Sequence, residues 1–348
     1  MLYSFKGGSV DGDYPFAGLI NVKGTLYGTT YSGGANGDGT VFKITPSGTE
    51  TVLYSFEGGS SGDGYFPEAG LIGVNGTLYG TTYGGGAKGD GTVFKIAPSG
   101  KETVLHSFGG SGDGTYPLAS LINVKGALYS TTYEGGANDD GTVFAITTSG
   151  KETVAHSFGA SGDGTLPRAG LLNVRGTLYG TTYERGAHPD GTVFKITPSG
   201  KESVLHKFTG QPDGSGPRAG LINVDGTLYG TTYAGGEYDD GTVFSITASN
   251  KETVLHDFGM TGDAEYPYAG LVNVKGTLYG TTYEGGANGG GTVFAITTSG
   301  KETVLHSFSG SGDGEYPNAG LIDISGTLYG TTADGGANGV GTVFALSP

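Results

Sequence analysis

One aspartate recurs along the whole chain in a setting that suits cation binding. Its copies share one register, usually within the pattern SGDG-x-YP, as in residues 311–317. Carboxylates and glycine carbonyls are ligands that Ca²⁺ accepts, although one carboxylate per loop makes a poor cage. The alternative is that each carboxylate accepts backbone N–H bonds within its own loop, as in an Asx-turn. We therefore predict no cofactor and keep Ca²⁺ as the metal alternative. The copies are Asp11, Asp63, Asp113, Asp163, Asp213, Asp263 and Asp313.

A second recurring position, three residues after the aspartate, carries an aromatic ring in most copies. Rigid rings beside carboxylates and backbone donors can bind sugars, and several weak copies gain affinity through multivalency. The alternative is that the rings pack between repeat units and that the following proline stiffens the loop. The absence of tryptophan counts against a sugar-binding protein. The tyrosines are Tyr14, Tyr116, Tyr266 and Tyr316, and Phe66, Leu166 and Gly216 fill the position in the other copies.

A third position, two residues further on, varies freely among the copies. Variation within an otherwise repetitive sequence indicates either drift at an exposed site or a patterned binding rim. We name these the rim residues: Phe16, Glu68, Leu118, Arg168, Arg218, Tyr268 and Asn318.

The histidines do not indicate catalysis. Five of the six occupy one repeated position, where the other copies have Tyr3 and Tyr54, so packing or surface exposure explains them better than base catalysis. His188 alone departs from this pattern. A general base or an activated nucleophile normally requires one repeat to differ from its siblings, and no copy shows such a constellation. The repeated histidines are His106, His156, His206, His256 and His306.

A repeat of about 50 residues spaces all these positions. The Leu-Tyr pair returns seven times, from Leu26-Tyr27 to Leu328-Tyr329, at a spacing of 52 once and 50 thereafter. In the fifth copy four runs rich in β-branched and aromatic residues, at 219–224, 227–233, 242–247 and 252–258, predict strands. Hairpin dipeptides such as Asn75-Gly76 separate the first two strands of a unit. The sequence shows no helical periodicity.

Four antiparallel strands per unit and seven units predict an all-β, seven-bladed β-propeller as a single domain over residues 1–348. The N-terminal residues 2–5 match a fourth strand, which the last unit lacks, so we predict that they close the last blade. In this fold the blade-to-blade loops, with their aspartates, are expected near the channel mouth. The predicted blades are 17–56, 69–108, 119–158, 169–208, 219–258, 269–308, and 319–348 with 2–5.

Charge limits the classes of partner. The formal net charge is −15, which argues against nucleic acid and anionic membrane surfaces, since both require basic patches. No apolar run reaches the ~20 residues of a spanning helix. Most acidic residues fall in the loops of one face, which we call the top face, and the underside is weakly basic. This pattern indicates solvation, attraction of a cationic partner, or weak head-to-tail stacking of a protein that is otherwise a monomer.

The stretch L-I-x-V-x-G-T-L-Y-G-T-T-Y-x-G-G-A-x-x-x-G-T-V-F at residues 19–42, continued to Gly48 and repeated, resembles the GloVer (Gloeobacter/Verrucomicrobia) tandem repeat of bacterial proteins. The resemblance implies an exported, surface-associated, propeller-like protein, and we expect its export signal and anchor to lie outside this sequence. No activity is established for that family, so no functional residues carry over. We predict a non-enzymatic extracellular scaffold or binding module that uses the top-face loops. The alternatives are a multivalent glycan binder, a calcium-binding propeller, and a lyase or hydrolase with its site at the channel mouth.

Overall fold

In the computed structural model, a tight turn with left-handed backbone connects the first two strands of each unit. At Asn75-Gly76 both residues have positive φ, 51° and 83°, as a two-residue hairpin turn requires. The turn pairs Ile72–Val74 antiparallel with Thr77–Thr82. Two further strands, Thr92–Ile96 and Glu102–Ser107, continue the sheet outward. A blade therefore consists of an inner, a second, a third and an outer strand.

Residues 1–183, 189–197, 200–260 and 263–348 are described by the structure. They form seven four-stranded antiparallel sheets, whose inner strands contact one another around a ring, so the predicted seven-bladed propeller is confirmed. The blades, from inner to outer strand, are Ile20–Val22, Thr25–Thr30, Thr40–Ile44 and Glu50–Ser55; Ile72–Val74, Thr77–Thr82, Thr92–Ile96 and Glu102–Ser107; Ile122–Val124, Ala127–Thr132, Thr142–Thr147 and Glu152–Ser157; Leu172–Val174, Thr177–Thr182, Thr192–Ile196 and Glu202–Lys207; Ile222–Val224, Thr227–Thr232, Thr242–Ile246 and Glu252–Asp257; Val272–Val274, Thr277–Thr282, Thr292–Thr297 and Glu302–Ser307; and Ile322–Ile324, Thr327–Thr332, Thr342–Leu346 and Tyr3–Ser4.

Short ribbons order the top-face loops. In each described case two residues of the blade-to-blade loop pair with two residues that follow the second strand. The ribbons are Gly12–Asp13 with Ser32–Gly33, Gly64–Tyr65 with Gly84–Gly85, Gly114–Thr115 with Glu134–Gly135, Gly214–Ser215 with Ala234–Gly235, Ala264–Glu265 with Glu284–Gly285, and Gly314–Glu315 with Asp334–Gly335. Two single-turn 3₁₀ helices, Gly8–Val10 and Gly59–Ser61, lie in the first two of these loops. Within the described ranges, no helix has the length and hydropathy to cross a bilayer.

The N-terminal strand closes the ring, as predicted. Tyr3 pairs with Val343 and Ser4 with Thr342. The Leu2 amide donates to the Val343 carbonyl at 2.8 Å, and the Phe5 amide donates at 3.0 Å to the carbonyl of Gly341, just before that third strand. The first and last parts of the chain therefore share one blade.

The hydrophobic core lies between blades rather than within one sheet. At the junction of the second and third blades, Phe108 from one blade packs with Leu128 and Phe144 from the next, and all three are fully buried. The Phe108 and Phe144 rings meet edge to face at 5.1 Å, a geometry that aromatic pairs favour. Each blade consequently depends on its neighbours for burial of its apolar faces.

A buried threonine hydroxyl crosses every blade junction. It belongs to the second strand of one blade and donates to an alanine carbonyl next to the inner strand of the following blade. The pairs are Thr29 to Ala69, Thr81 to Ala119, Thr131 to Ala169, Thr181 to Ala219, Thr231 to Ala269, Thr281 to Ala319 and Thr331 to Ala17, at 3.0–3.2 Å. We call these bonds the junction bonds. The last of them spans the closure of the ring.

Replacing Thr131 by valine should lower the free energy of unfolding by about 1–3 kcal/mol, because the Ala169 carbonyl then loses a buried donor. Valine conserves the shape of threonine, so packing changes little. Thr253→Val is the matched control, since the exposed Thr253 hydroxyl donates only to the adjacent Glu252 carbonyl. Chemical denaturation of both variants measures the difference, and equal stability of the two would show that the junction bond contributes nothing.

Candidate functional site

The rim residues of all seven blades line one cavity of about 310 Å³ on the propeller axis. Each stands between a buried proline and a buried alanine. In the fourth blade Arg168 follows Pro167 and precedes Ala169, whose carbonyl accepts a junction bond from Thr131. These buried neighbours fix the backbone on both sides of the rim residue. The blades therefore differ at this position only in the side chain that they present to the cavity. The sequence singled out this position, and the structure brings its seven copies together.

Two rim arginines are stacked between tyrosine rings. The guanidinium carbon of Arg168 lies 4.6 Å from the Tyr133 ring centre and 4.8 Å from that of Tyr183. Arg218 lies 4.7 Å from Tyr183 and 4.0 Å from Tyr233, and it donates to the Tyr183 hydroxyl at 2.6 Å. Cation–π contacts of this kind contribute about 0.5–2 kcal/mol each. These five residues form an arginine–tyrosine ladder along one side of the cavity.

Several polar atoms of the cavity have no hydrogen-bond partner. They are the Nε atoms of Arg168 and Arg218 and the Oδ1 atom of Asn318, all buried. Glu68, on the second blade, has its pKa raised by burial, an effect that the charge of Arg168 partly offsets. Buried polar groups are nearly always satisfied in folded proteins. The cavity wall therefore contains buried polar atoms whose hydrogen-bonding capacity is not used within the protein.

The recurring aromatic position has left-handed backbone. Its φ is 54–56° at Tyr14, Phe66, Tyr116, Leu166, Tyr266 and Tyr316, and 62° at Gly216. Such a conformation is strained for a residue with a side chain and needs support from its surroundings. At Tyr116 the amide donates to the Asp90 carbonyl at 2.9 Å and the carbonyl accepts from the Tyr133 amide at 3.0 Å. The Tyr116 ring stacks on Tyr83 of the preceding blade at 4.9 Å, so the rings pack across blade junctions while remaining half-exposed.

The recurring aspartates bond to the outer part of the ring. Oδ2 of Asp63 accepts from the Tyr54 hydroxyl at 2.8 Å and the Glu57 amide at 2.9 Å, and Oδ1 accepts from the Gly64 amide at 2.7 Å. Because Tyr54 belongs to an outer strand, the expectation that these aspartates lie at the channel mouth is wrong. The loop closes back on the outer strand that precedes it. The axial mouth is formed by the rim residues instead.

The recurring histidine is the partner of the recurring aspartate. Both histidine and tyrosine donate to a carboxylate, which explains why the two residue types share the position. The sequence analysis missed this pairing, although the constant spacing of the two positions was a signal for it. The Nε2–Oδ2 distances are 2.9 Å for His106–Asp113, 2.9 Å for His156–Asp163, 3.0 Å for His206–Asp213, 3.3 Å for His256–Asp263 and 2.9 Å for His306–Asp313. His188 lies outside the described residues.

Several of these histidine–aspartate pairs lie close to a glutamate from the outer strand of the next blade, and we call these groups of three residues the perimeter clusters. Within His106–Asp113–Glu152 the possible ligand atoms lie within 4.8 Å of one another, and the same holds for His206–Asp213–Glu252 and His256–Asp263–Glu302. One imidazole nitrogen with two carboxylate oxygens suits Zn²⁺ better than Ca²⁺, which prefers six to eight oxygens. The aspartate oxygens are already engaged in hydrogen bonds. The clusters therefore connect neighbouring blades through side chains that also have the chemistry of metal ligands.

The repeat is recognised by comparison with known protein families. The model of the Gloeobacter/Verrucomicrobia repeat matches residues 1–188 and 173–348. No curated protein sequence matches the chain.

Solved structures of other propellers share the fold. A streptogramin B lyase has 15% identity and a TM-score of 0.65, with 99% of this chain and 97% of that chain covered. The lectin BP39L from Burkholderia pseudomallei has 13% identity and a TM-score of 0.68, with the same coverage. A puromycin hydrolase has 13% identity and a TM-score of 0.61, and this chain spans only 55% of its length. At these identities the likeness establishes the fold alone.

Asp63→Asn should lower the free energy of unfolding by about 1–3 kcal/mol, because an amide nitrogen would then face a donor in a buried site. Asp323→Asn is the control, since five siblings already have asparagine at that turn and the side chain accepts from the Gly326 amide. Thermal and chemical denaturation, with and without Ca²⁺ or a chelator, measure both effects. Unchanged stability of Asp63→Asn, with a calcium-dependent melting temperature in the parent protein, would instead support the calcium alternative.

Stability should fall as pH rises from about 4.5 to about 7. Burial, with the charge of Asp213, raises the pKa of Glu252 from 4.5 to about 7 although His206 opposes the shift. The folded protein therefore binds more protons than the unfolded chain within this window, and the stabilisation is lost as the carboxyl ionises. Burial raises the pKa of Glu50, Glu102, Glu202 and Glu302 to about 7 as well.

Glu252→Gln should therefore raise the melting temperature at pH 8 and leave it nearly unchanged at pH 4. The exposed Glu237→Gln serves as the control and should show no difference between the two pH values. An equal effect of Glu252→Gln at both pH values would contradict the proposed cause.

Proposed function

Because the chain belongs to the Gloeobacter/Verrucomicrobia repeat family and its rim residues share one cavity, we propose that it is an exported bacterial binding module without catalytic activity. Its ligand occupies the axial cavity of the top face. The observation that carries this proposal is the convergence of the one freely varying position of the repeat on a single open cavity.

Loss of symmetry at the rim supports binding of one small molecule. Seven identical side chains would offer sevenfold-symmetric contacts, which suit few organic ligands. The rim instead combines cationic, acidic, aromatic, aliphatic and amide groups around one cavity. Small-molecule sites have this composition, with apolar walls and a few polar groups that fix orientation. Drift at an exposed site is less consistent with arginines that are stacked between rings.

The chemistry of the lining supports binding rather than catalysis. Glu68 is its one carboxyl group, and none of the seven rim residues is a histidine, serine or lysine. Acid–base or nucleophilic catalysis needs two cooperating groups within hydrogen-bond reach. The five described histidines are engaged with aspartates at the perimeter. A lyase or hydrolase site at the channel mouth is the weaker alternative, and its support is a fold shared with enzymes of both kinds.

A multivalent glycan binder is the second candidate. The half-exposed tyrosine pairs favour it, such as Tyr233 with Tyr266 at 5.1 Å and Tyr283 with Tyr316 at 4.8 Å. Repetition of such pairs around the top face would supply several equivalent sites, as multivalency requires, and a lectin shares the fold. The two candidates differ in stoichiometry, since the axial cavity takes one ligand and the junctions take several. A cationic partner on the acidic outer loops also remains a prediction.

Leu118→Trp should abolish binding at the axial cavity, because the indole would occupy space that the ligand needs. Phe16 and Tyr268 are aromatic at the equivalent position, so the fold accepts a large ring there. Thermal-shift screening of saccharides and small organic molecules, followed by calorimetric stoichiometry, provides the measurement. Val10→Trp is the control, since Val10 is 80% exposed and lies outside the cavity.

One ligand per protein, lost in Leu118→Trp and kept in Val10→Trp, is the expected outcome. Several equivalent ligands that still bind to Leu118→Trp would support the glycan candidate instead. Conversion of a ligand to product in the same mixtures would indicate an enzyme.

A further inference from the structure

The arginine–tyrosine ladder holds two positive charges without a carboxylate partner. Among the described residues, neither Arg168 nor Arg218 forms an ion pair, because every ion pair found there joins a histidine to an aspartate. Arg168 interacts with Glu68 only at longer range. Arginines are mostly exposed in folded proteins and almost never fully buried without a partner, and this protein has a net charge of −15. Unpaired guanidinium groups at its axis are therefore a feature that requires an explanation.

Stacking holds the planes of the guanidinium groups, and a third ring, Tyr268, lies 4.4 Å from the guanidinium carbon of Arg218. A ring against the face of a guanidinium holds its plane, while the N–H donors point outward along the edges. The Nε atoms of both arginines are buried and lack partners. Planar guanidinium edges match a carboxylate, which accepts two parallel N–H bonds. The ladder is thus preorganised for an anion, so that little side-chain entropy is lost when one binds.

We infer that the axial cavity binds a small organic carboxylate, with its acid group on the edges of Arg168 and Arg218. The inference rests on the proposed function of the same cavity and specifies the chemistry of its ligand. The apolar part of the ligand contacts Leu118 and Phe16 on the remaining wall. A hydroxyl or amine of the ligand donates to Glu68.

Local charge selects an anion although the top face as a whole is acidic. The rim contains two arginines and one glutamate, so its charge is positive whether or not Glu68 is ionised. Acidic loops surround this positive centre and disfavour polyanions such as nucleic acid, whereas a single carboxylate on a small molecule is admitted. A cavity of about 310 Å³ lies at the lower end of ligand pockets and suits a molecule with one ring. Sugar acids and aromatic acids both satisfy these requirements.

Calorimetric titration with two matched pairs of probes tests the inference: D-glucuronate against D-glucose, and benzoate against benzyl alcohol. At least one carboxylate should bind more tightly than its neutral partner, by about ten- to hundredfold, as expected for hydrogen bonds to a charged group. The pair that shows this difference identifies the ligand as a sugar acid or an aromatic acid. Binding should weaken with salt less than a surface ion pair does, because the arginines are partly buried.

Arg168→Leu and Arg218→Asn place at each site a side chain that a sibling blade already has, at Leu118 and Asn318. Both substitutions should weaken binding of the carboxylate about tenfold or more. They should also lower the melting temperature, because the cation–π contacts are lost, so binding is measured at a temperature at which each variant is folded. Lys195→Ala removes the same charge elsewhere and also copies its siblings Ala145 and Ala295, so it should bind like the parent protein.

Failure of both carboxylates to bind, or equal binding to the arginine variants, would overturn the inference. A second outcome is that the neutral probes bind, and that this binding is abolished by Leu118→Trp but retained by the arginine variants. That outcome would support the axial site and contradict its preference for a carboxylate. If no probe binds and the Leu118→Trp substitution has no effect on binding, the proposed function is wrong as well.

Discussion

A threonine hydroxyl that donates to an alanine carbonyl across each blade junction is the interaction on which the rest of the structure depends. The junction is dry, because the flanking phenylalanines are fully buried, so an unpaired carbonyl there is costly. The bond sets the position of each inner strand relative to the preceding blade. It also fixes the residue just before the alanine, which is the rim residue. Ring closure and site geometry therefore share one cause.

Symmetry lets the protein reuse the same backbone solutions seven times. A left-handed residue such as Tyr116 would be strained alone, but Tyr116 is held by backbone bonds to two neighbouring loops and by a ring stacked across the junction. The axis is different, because seven side chains meet there and need not be equal. The arginine–tyrosine ladder involves only the third, fourth and fifth blades, so the frame is symmetric while its centre is not.

Charged side chains meet in two regions of the propeller, the perimeter and the axis. At the perimeter, aspartates, histidines and glutamates of adjacent blades lie close together, and the buried glutamates have raised pKa values because they lose solvation near another carboxylate. At the axis, two arginines that form no ion pair with any described residue create a positive centre within an acidic face. The perimeter clusters thus make stability depend on pH, whereas the axial charges govern what the cavity attracts.

Local sequence patterns specify the period, the four strands of each blade, the closure by residues 2–5, and the position that varies. These follow from local rules, because turn dipeptides, β-branched runs and a repeat of 50 residues act within one unit. Tertiary structure decided which units' side chains meet. Adjacent blades bring Asp113 and His106 together with Glu152, and all seven blades bring the rim residues to one cavity. The twist of the blades and the radius of the ring set the distances between side chains of different blades. Neither can be predicted from the spacing of residues within a unit.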